Sequence, residues 1–369
     1  MDTGFWGRLE RPIIGLAPMD GVTDAAYRLM TARHGKPSLF ITEFVNVEGL
    51  ARGAIKILRH LMYDESERYV VAQIYGVEPE SFYKVALLVC ELGFDGIDIN
   101  MGCPADKIAR RGSGAGLIRT PETAKALIRI TKQAVSDWAN GKTMEEAGIR
   151  PKIIREVKKF RDERRKNSDE RRETRKINSS LVTRHSDVTR NLIPISVKTR
   201  IGYDRVIVDE WIKYLLEVSL AAISLHGRTF KQLYSGAADW EMIASAARLC
   251  KGTGTLLLGN GDIRSMEDAH AKIKSYDLDG VLVGRGTLGN PWFFVGKTPT
   301  PKEMAQAAIE HSELFEKLYP DSPFFPMRKH LAWYLKGFPG AKDLRVRLMQ
   351  TNSAKEVKKL LSHEKDSGG

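Results

Sequence analysis

The sequence predicts an α/β protein, a (β/α)8 TIM barrel followed by a small all-α C-terminal domain, on three observations. Eight short apolar runs recur at 12–17, 39–42, 69–73, 93–100, 192–198, 220–225, 254–259 and 278–283. Amphipathic helical patterns lie between most of them, at 23–34, 78–92, 121–138, 206–218, 240–250 and 265–275. After Pro299-Thr-Pro301 the pattern is wholly helical, with amphipathic stretches at 303–318 and 326–336. Near-continuous apolar strands alternating with helices indicate a parallel sheet covered on its outer side. Eight such units close into a barrel. A doubly wound sheet is the alternative, but no Gly-x-Gly-x-x-Gly opens a helix after the first run. The expected division is a barrel at 1–298, with a charged insertion at about 136–191, and a helical domain at 299–369.

Taken in order, the residues at or just beyond the end of each run are Pro18-Met19-Asp20, Glu43, Gln73, Asn100 with Cys103, Lys198 with Arg200, His226 with Arg228, Asn260-Gly261-Asp262, and Gly284-Arg285. In a barrel all of these face one C-terminal rim, where barrel enzymes keep their sites. Any one of them reads equally as a solvated strand end or a helix cap. Polar residues at the end of every run are harder to dismiss.

The fourth run leads into Asp98-Ile-Asn-Met-Gly-Cys-Pro104, where Gly102 and Pro104 bracket Cys103 on a fixed turn. A single Cys so held is either a reactive thiol or a small buried hydrophobe. The last two loops, Asn260-Gly261-Asp262 and Gly284-Arg285-Gly286, fall where barrels bind a phosphate with backbone N–H groups. Arg285 adds a bidentate contact. Lys198 and His226 project from the fifth and sixth runs, a placement suited to hydrogen-bonding a flat heteroaromatic ring. A ring with a phosphate tail describes a flavin mononucleotide; the competing reading is tight turns and an internal ion pair.

Two regions fall outside the repeat. From 141 to 191 there are 16 Lys+Arg against 9 Asp+Glu, with few apolar anchors. This stretch reads as a solvated helix or a disordered arm, either a grip on a nucleic-acid backbone or a passive insertion. In the helical tail, Arg328-Lys329-His330 precede Leu331-Ala-Trp-Tyr-Leu335, a basic face beside an aromatic one, with further Lys and Arg beyond.

The chain has 369 residues, enough for one large domain and a small one. Its net charge of +12 favours polyanionic partners, nucleic acid ahead of membrane. Cys90, Cys103 and Cys250 form neither a disulfide framework nor a metal spacing. Nowhere do 18 apolar residues run together, and the N-terminus lacks an apolar signal core. A cytoplasmic protein without metal or membrane contact is expected, as a monomer.

The motifs together resemble the tRNA-dihydrouridine synthases. Six stretches carry the resemblance: Leu16-Ala-Pro-Met-Asp-Gly-Val-Thr-Asp24, Gln73-Ile-Tyr-Gly76, Asp98-Ile-Asn-Met-Gly-Cys-Pro104, Ser196-Val-Lys-Thr-Arg200, His226-Gly-Arg228 and Asn260-Gly-Asp262. Val283-Gly-Arg-Gly286 and Met327-Arg-Lys-His-Leu-Ala-Trp-Tyr-Leu-Lys336 extend it. The resemblance implies FMN as cofactor, NADPH or NADH as reductant and tRNA as substrate. By position it implies Cys103 as the catalytic acid and Pro18, Met19, Asp20 and Gln73 around the flavin ring. Lys198 and His226 would hold its polar edge and ribityl chain. Asn260, Gly261, Asp262, Gly284 and Arg285 would take the phosphate, and Asn100 would orient the uracil. Arg328 and Lys329, with Arg110 and Arg111 beside the pocket, are expected at the RNA. Asp20 and Gly116 each replace a residue that is usually Ala in the family. The rivals are a flavin reductase of free pyrimidines and an RNA-binding protein without catalysis.

Overall fold

The computed structural model describes residues 3–175, 190–335 and 340–363. Its strands are β1 (Ile13–Leu16), β2 (Phe40–Ile41), β3 (Val45–Asn46), β4 (Val70–Tyr75), β5 (Gly96–Met101), β6 (Ile195–Arg200), β7 (Ala222–His226), β8 (Leu256–Asn260) and β9 (Gly280–Val283). All pair in parallel, and the sheet closes because β1 pairs with both β2 and β9. β2 and β3 pair with successive parts of β4, so the nine strands fill the eight positions of a (β/α)8 barrel. The run at 39–42 is therefore only half of its strand. Thr42 Oγ1 accepts the Gln73 N–H at 3.0 Å and donates to Glu43 O at 2.9 Å, replacing the backbone ladder where β2 breaks off.

Alternation along each strand separates two cores. Ile14, Leu16, Val70, Ala72, Ile97, Ile99, Val197, Ile223, Leu257 and Val281 point outward beneath the helices. Ile13, Leu39, Ile41, Val71, Ala222, Leu258 and Leu282 fill the lower barrel interior with Phe5 and Trp6 of the N-terminal turn Gly4–Arg8. Two residues further toward the rim the same inward columns turn polar: Gln73 follows Val71, Ser224 and His226 follow Ala222, and Asn260 follows Leu258. Both faces of each strand are buried, which is why the runs read as nearly continuous apolar segments.

The helices are α1 (Ala25–His34), α2 (Val47–Ala51), α3 (Pro79–Leu92), α4 (Asp106–Ala109), α5 (Pro121–Ala139), α6 (Pro151–Arg175), α7 (Val208–Leu216), α8 (Trp240–Cys250), α9 (Met266–Tyr276), α10 (Pro301–Leu318), α11 (Phe325–Tyr334), α12 (Ala341–Leu348) and α13 (Ala354–His363). Starts follow the sequence: the Asp24 carboxylate caps α1 by accepting from Tyr27 N at 2.9 Å, and α3, α5 and α10 begin with proline. Within the insertion, α6 is more than a solvated arm. Ile153, Ile154, Val157 and Phe160 recur on one face and pack into the outer core beside α3. Arg161 pairs with Glu91, and Arg164 pairs with Glu65 at 2.9 Å while lying over the Tyr63 ring. These few apolar positions are outnumbered by charge, which hides the packed face in the sequence. Residues 176–189 of the insertion lie outside the described residues.

The C-terminal part is helical, as predicted, and α12 and α13 occupy the tail that showed only basic charge. Leu314, Phe315, Met327, Leu331, Leu344, Leu348, Val357 and Leu361 form one core that also takes in Ala26, Leu29 and Met30 of α1. Helix α1 is thus shared between barrel and helical part. Among the described residues no helix is long and apolar enough to cross a membrane.

Candidate active site

The rim opens into a cavity of about 320 Å³, within the usual size of ligand pockets. Pro18, Met19 and Asp20 beyond β1, Asn100 and Cys103 at β5, Lys198 of β6 and His226 of β7 line it. Asn260, Gly261 and Asp262 at β8, with Gly284 and Arg285 at β9, complete that set. The parallel register explains the convergence: Asn100 is level with Lys198, and Arg200, His226 and Asn260 share the next row. The structure does not bring Gln73, Arg328 or Lys329 to the cavity wall.

Gln73 lies beneath the cavity in a buried polar chain. Its amide donates to Asp98 at 2.7 Å, and its carbonyl accepts from Asn100 Nδ2 at 2.9 Å. Ser196 Oγ donates to the other Asp98 oxygen at 2.7 Å. Burial pushes the Asp98 carboxyl up to about 6, against the pull of these donors and of Lys198. Asn100 Oδ1 then accepts the backbone N–H groups of Gly102 at 3.1 Å and Cys103 at 2.8 Å. The barrel interior thereby fixes the turn that carries the thiol. From the other side Arg200 Nε donates to Gly102 O at 2.7 Å.

Cys103 is 8% exposed. Burial pushes its thiol up, and the Asp20 charge adds to this; the Ala105 N–H, Arg200 and Lys198 pull the other way. The net shift is upward, so at neutral pH the group is a thiol and a proton donor.

The adjoining wall, from β6 to β9, is cationic. Lys198 has no hydrogen-bond or ion-pair partner among the described residues, and burial lowers it to about 8, with Arg200 adding to the effect. It remains mostly protonated at neutral pH. His226 is driven well below its ordinary range by burial, then by Lys198, Arg200, Arg228 and Arg285. Its Nε2 faces Arg228 Nη1 at 3.3 Å and so acts as acceptor, which leaves the proton on Nδ1. Asp262 receives Arg228 Nη2 at 2.5 Å, Arg285 Nη2 at 2.9 Å and the Ala238 N–H at 2.9 Å. Burial opposes its ionisation, but Arg228 and the other donors hold it below the usual carboxylate range. The carboxylate thus orients two arginines.

Close packing of the two loops requires glycine. A Cβ on Gly261 (φ +134°) would stand 2.6 Å from Ala238 Cβ, and one on Gly286 would stand 2.4 Å from Ile263 O. An unpaired ammonium, a neutral imidazole and an arginine beside a glycine loop suit a flat ligand with a polar edge and an anionic tail. Among the described residues no group of three or more His, Cys, Asp or Glu side chains is placed to hold a metal ion.

Several lining residues were absent from the predicted set. Phe44 lies where β2 breaks off, and Tyr234 sits in the loop after β7 with Arg285 5.0 Å over its ring. Trp333 reaches in from α11. Only the aromatic pattern beside Arg328 and Lys329 hinted at Trp333. Those two cations are engaged elsewhere: Arg328 donates to Thr351 O at 3.0 Å and Asn352 Oδ1 at 2.7 Å, and Lys329 Nζ donates to Gly21 O.

Comparison with known proteins agrees with this arrangement. The family model described as dihydrouridine synthase (Dus) matches residues 15–144 and 172–367, and the gap between them falls in the insertion. A probable tRNA-dihydrouridine synthase of Staphylococcus aureus (strain COL) is 32% identical over 373 residues, covering 98% of this chain and 95% of that protein. Probable tRNA-dihydrouridine synthase 2 of Bacillus subtilis (strain 168) is 32% identical over 370 residues, covering 98% and 96%. With the matched model spanning both the thiol turn and the helical part, the chain belongs to the tRNA-dihydrouridine synthase family.

Proposed function

We propose that this chain reduces uridines of tRNA to 5,6-dihydrouridine, with FMN as cofactor, NADPH as reductant and Cys103 as the acid. One observation carries the reading: a protonated thiol, an unpaired half-buried ammonium, a neutral imidazole and an arginine-flanked glycine loop line one cavity. When bound and reduced by NADPH, FMN supplies the hydride that adds at C6 of the uracil.

The chain's own residues do the rest. Lys198 and His226 hold the polar edge and ribityl chain of the cofactor, and Pro18, Met19 and Asp20 lie along its ring. Asn260, Gly261, Asp262, Gly284 and Arg285 take its phosphate. Gln73 acts from beneath, through Asp98 and Asn100. Asn100 orients the uracil, and Cys103 gives its proton to C5. The target base must leave its stack to reach Cys103, which is buried in the cavity wall. Arg110, Arg111 and basic residues of the helical part at 299–369 contact the phosphates. The expected setting is a cytoplasmic monomer.

The test is the dihydrouridine content of unmodified tRNA after incubation with the protein, FMN and NADPH, with Cys103→Ala in parallel. Product is expected in the wild-type sample alone, a loss of at least about 100-fold in the variant. Undiminished turnover in Cys103→Ala removes the thiol from the mechanism. Flavin binding with no product in either sample favours the free-pyrimidine reductase.

A further inference from the structure

The loop between β1 and α1 carries five residues of the cavity wall and is held from two directions. Within itself it is a tight turn: Val22 N and Thr23 N donate to Met19 O at 2.9 and 3.0 Å, and Met19 N donates to Thr23 Oγ1 at 2.9 Å. Gly21 completes it with a φ of +68°. The second direction is the C-terminal helical part. Lys329 Nζ of α11 donates to Gly21 O, and Tyr319 OH, at the end of α10, accepts the Ala25 N–H at 3.0 Å. These contacts span 308 and 294 residues of sequence. Beside them Trp333 lines the cavity, and α1 shares its buried face with α10 and α11.

We infer that Lys329 and Tyr319 are positioning residues through which the C-terminal helices hold the cofactor-facing loop Pro18–Thr23 in place. The helical part then acts on the cofactor site itself, besides any contact it makes with RNA. A charged donor on a carbonyl is a strong local restraint, and the Tyr319 hydroxyl satisfies an N–H at the start of α1 that the helix cannot. The cation expected at RNA phosphate donates in this geometry to a carbonyl of the loop. The cofactor consequence rests on the proposed FMN reading; the loop consequence does not.

The experiment compares Lys329→Met, Lys329→Arg and Tyr319→Phe with wild type in three measurements. Amide exchange of the peptide covering residues 17–25 should rise about tenfold in Lys329→Met and about threefold in Tyr319→Phe, with barrel-core peptides unchanged. Lys329→Arg, which keeps a charged donor, should restore protection. FMN dissociation constants should weaken in the same order, by about tenfold and threefold. Binding of unmodified tRNA across a salt series should keep its slope. Unchanged exchange at 17–25 overturns the inference whether or not FMN binds. So does a tRNA salt slope reduced by about one in Lys329→Met, which marks a phosphate contact instead. Failure of wild type to bind FMN sinks the proposed function and leaves the exchange result to decide the loop.

Discussion

At the barrel rim Lys198 stands half-buried in the cavity wall with no hydrogen-bond or ion-pair partner among the described residues, while in the helical part Lys329 and Arg328 both donate to backbone carbonyls. All three come from stretches with similar basic character in the sequence. A charge drawn partly out of water without a partner costs folding free energy, and a fold retains one where a ligand completes it. A cation engaged by carbonyls needs no ligand. The rim cation therefore marks chemistry, and the two helical cations mark architecture.

The largest effect that sharpens this contrast is on Lys198. Replacement by Met should weaken FMN binding by about 100-fold, since a charged donor to the ligand's polar edge is lost. The same change should leave the unliganded protein as stable or more stable, by up to about 1 kcal/mol, because no native partner is orphaned. Titration and thermal melting of the apoprotein check the two parts. A marked loss of stability with unaltered FMN affinity would reverse the roles assigned to the two regions. Because burial places Lys198 at about 8, FMN affinity should also fall as pH rises through that value. The sign follows from the ammonium being the binding form.

The barrel was legible because its signals are local and repeated. Parallel strands buried on both faces write apolar runs, and their inward residues turn polar toward the rim, as at Val71 and Gln73 or Leu258 and Asn260. Position at a strand end therefore located the cavity. It did not reveal which way each side chain is engaged. Gln73 ends its column one level too deep and bonds Asp98 and Asn100. Glu43, counted at the rim, accepts from His60 at 3.1 Å and does not line the cavity. Trp333 and Tyr319 act across the whole length of the chain, and no sequence spacing records such contacts. The insertion was read only in part for a related reason: its helix was among the alternatives, but the packed face was not, because four apolar residues of α6 are outvoted by charge in any window average.

A smaller effect tests how the rim sets its acid. Burial is the main cause that raises the Cys103 thiol, and the Asp20 charge across the cavity adds to it. Asp20→Asn removes a negative charge that disfavours the thiolate, so the thiol should ionise at lower pH. Iodoacetamide should then alkylate Cys103 roughly threefold to tenfold faster at neutral pH. The alkaline limb of dihydrouridine formation should move to lower pH, because only the thiol form donates a proton. Asp20→Glu should restore both. An alkylation profile that does not move leaves burial as the whole cause.

The smallest effect falls on Arg328 and bears most directly on the helical part. Its guanidinium ties α11 to Thr351 O and Asn352 Oδ1, in the turn that leads into α13. Thr351 is 3% exposed, so its carbonyl has little access to water as a replacement partner. Arg328→Ala should therefore cost about 1 kcal/mol, a fall in melting temperature of roughly 2 °C. The salt slope of tRNA binding should stay as in wild type, since this cation is engaged within the fold. A slope reduced by about one with an unchanged melting temperature would return Arg328 to the RNA surface. The contrast would then hold for Lys329 alone, and adjacent residues on one helix would divide the two tasks between them.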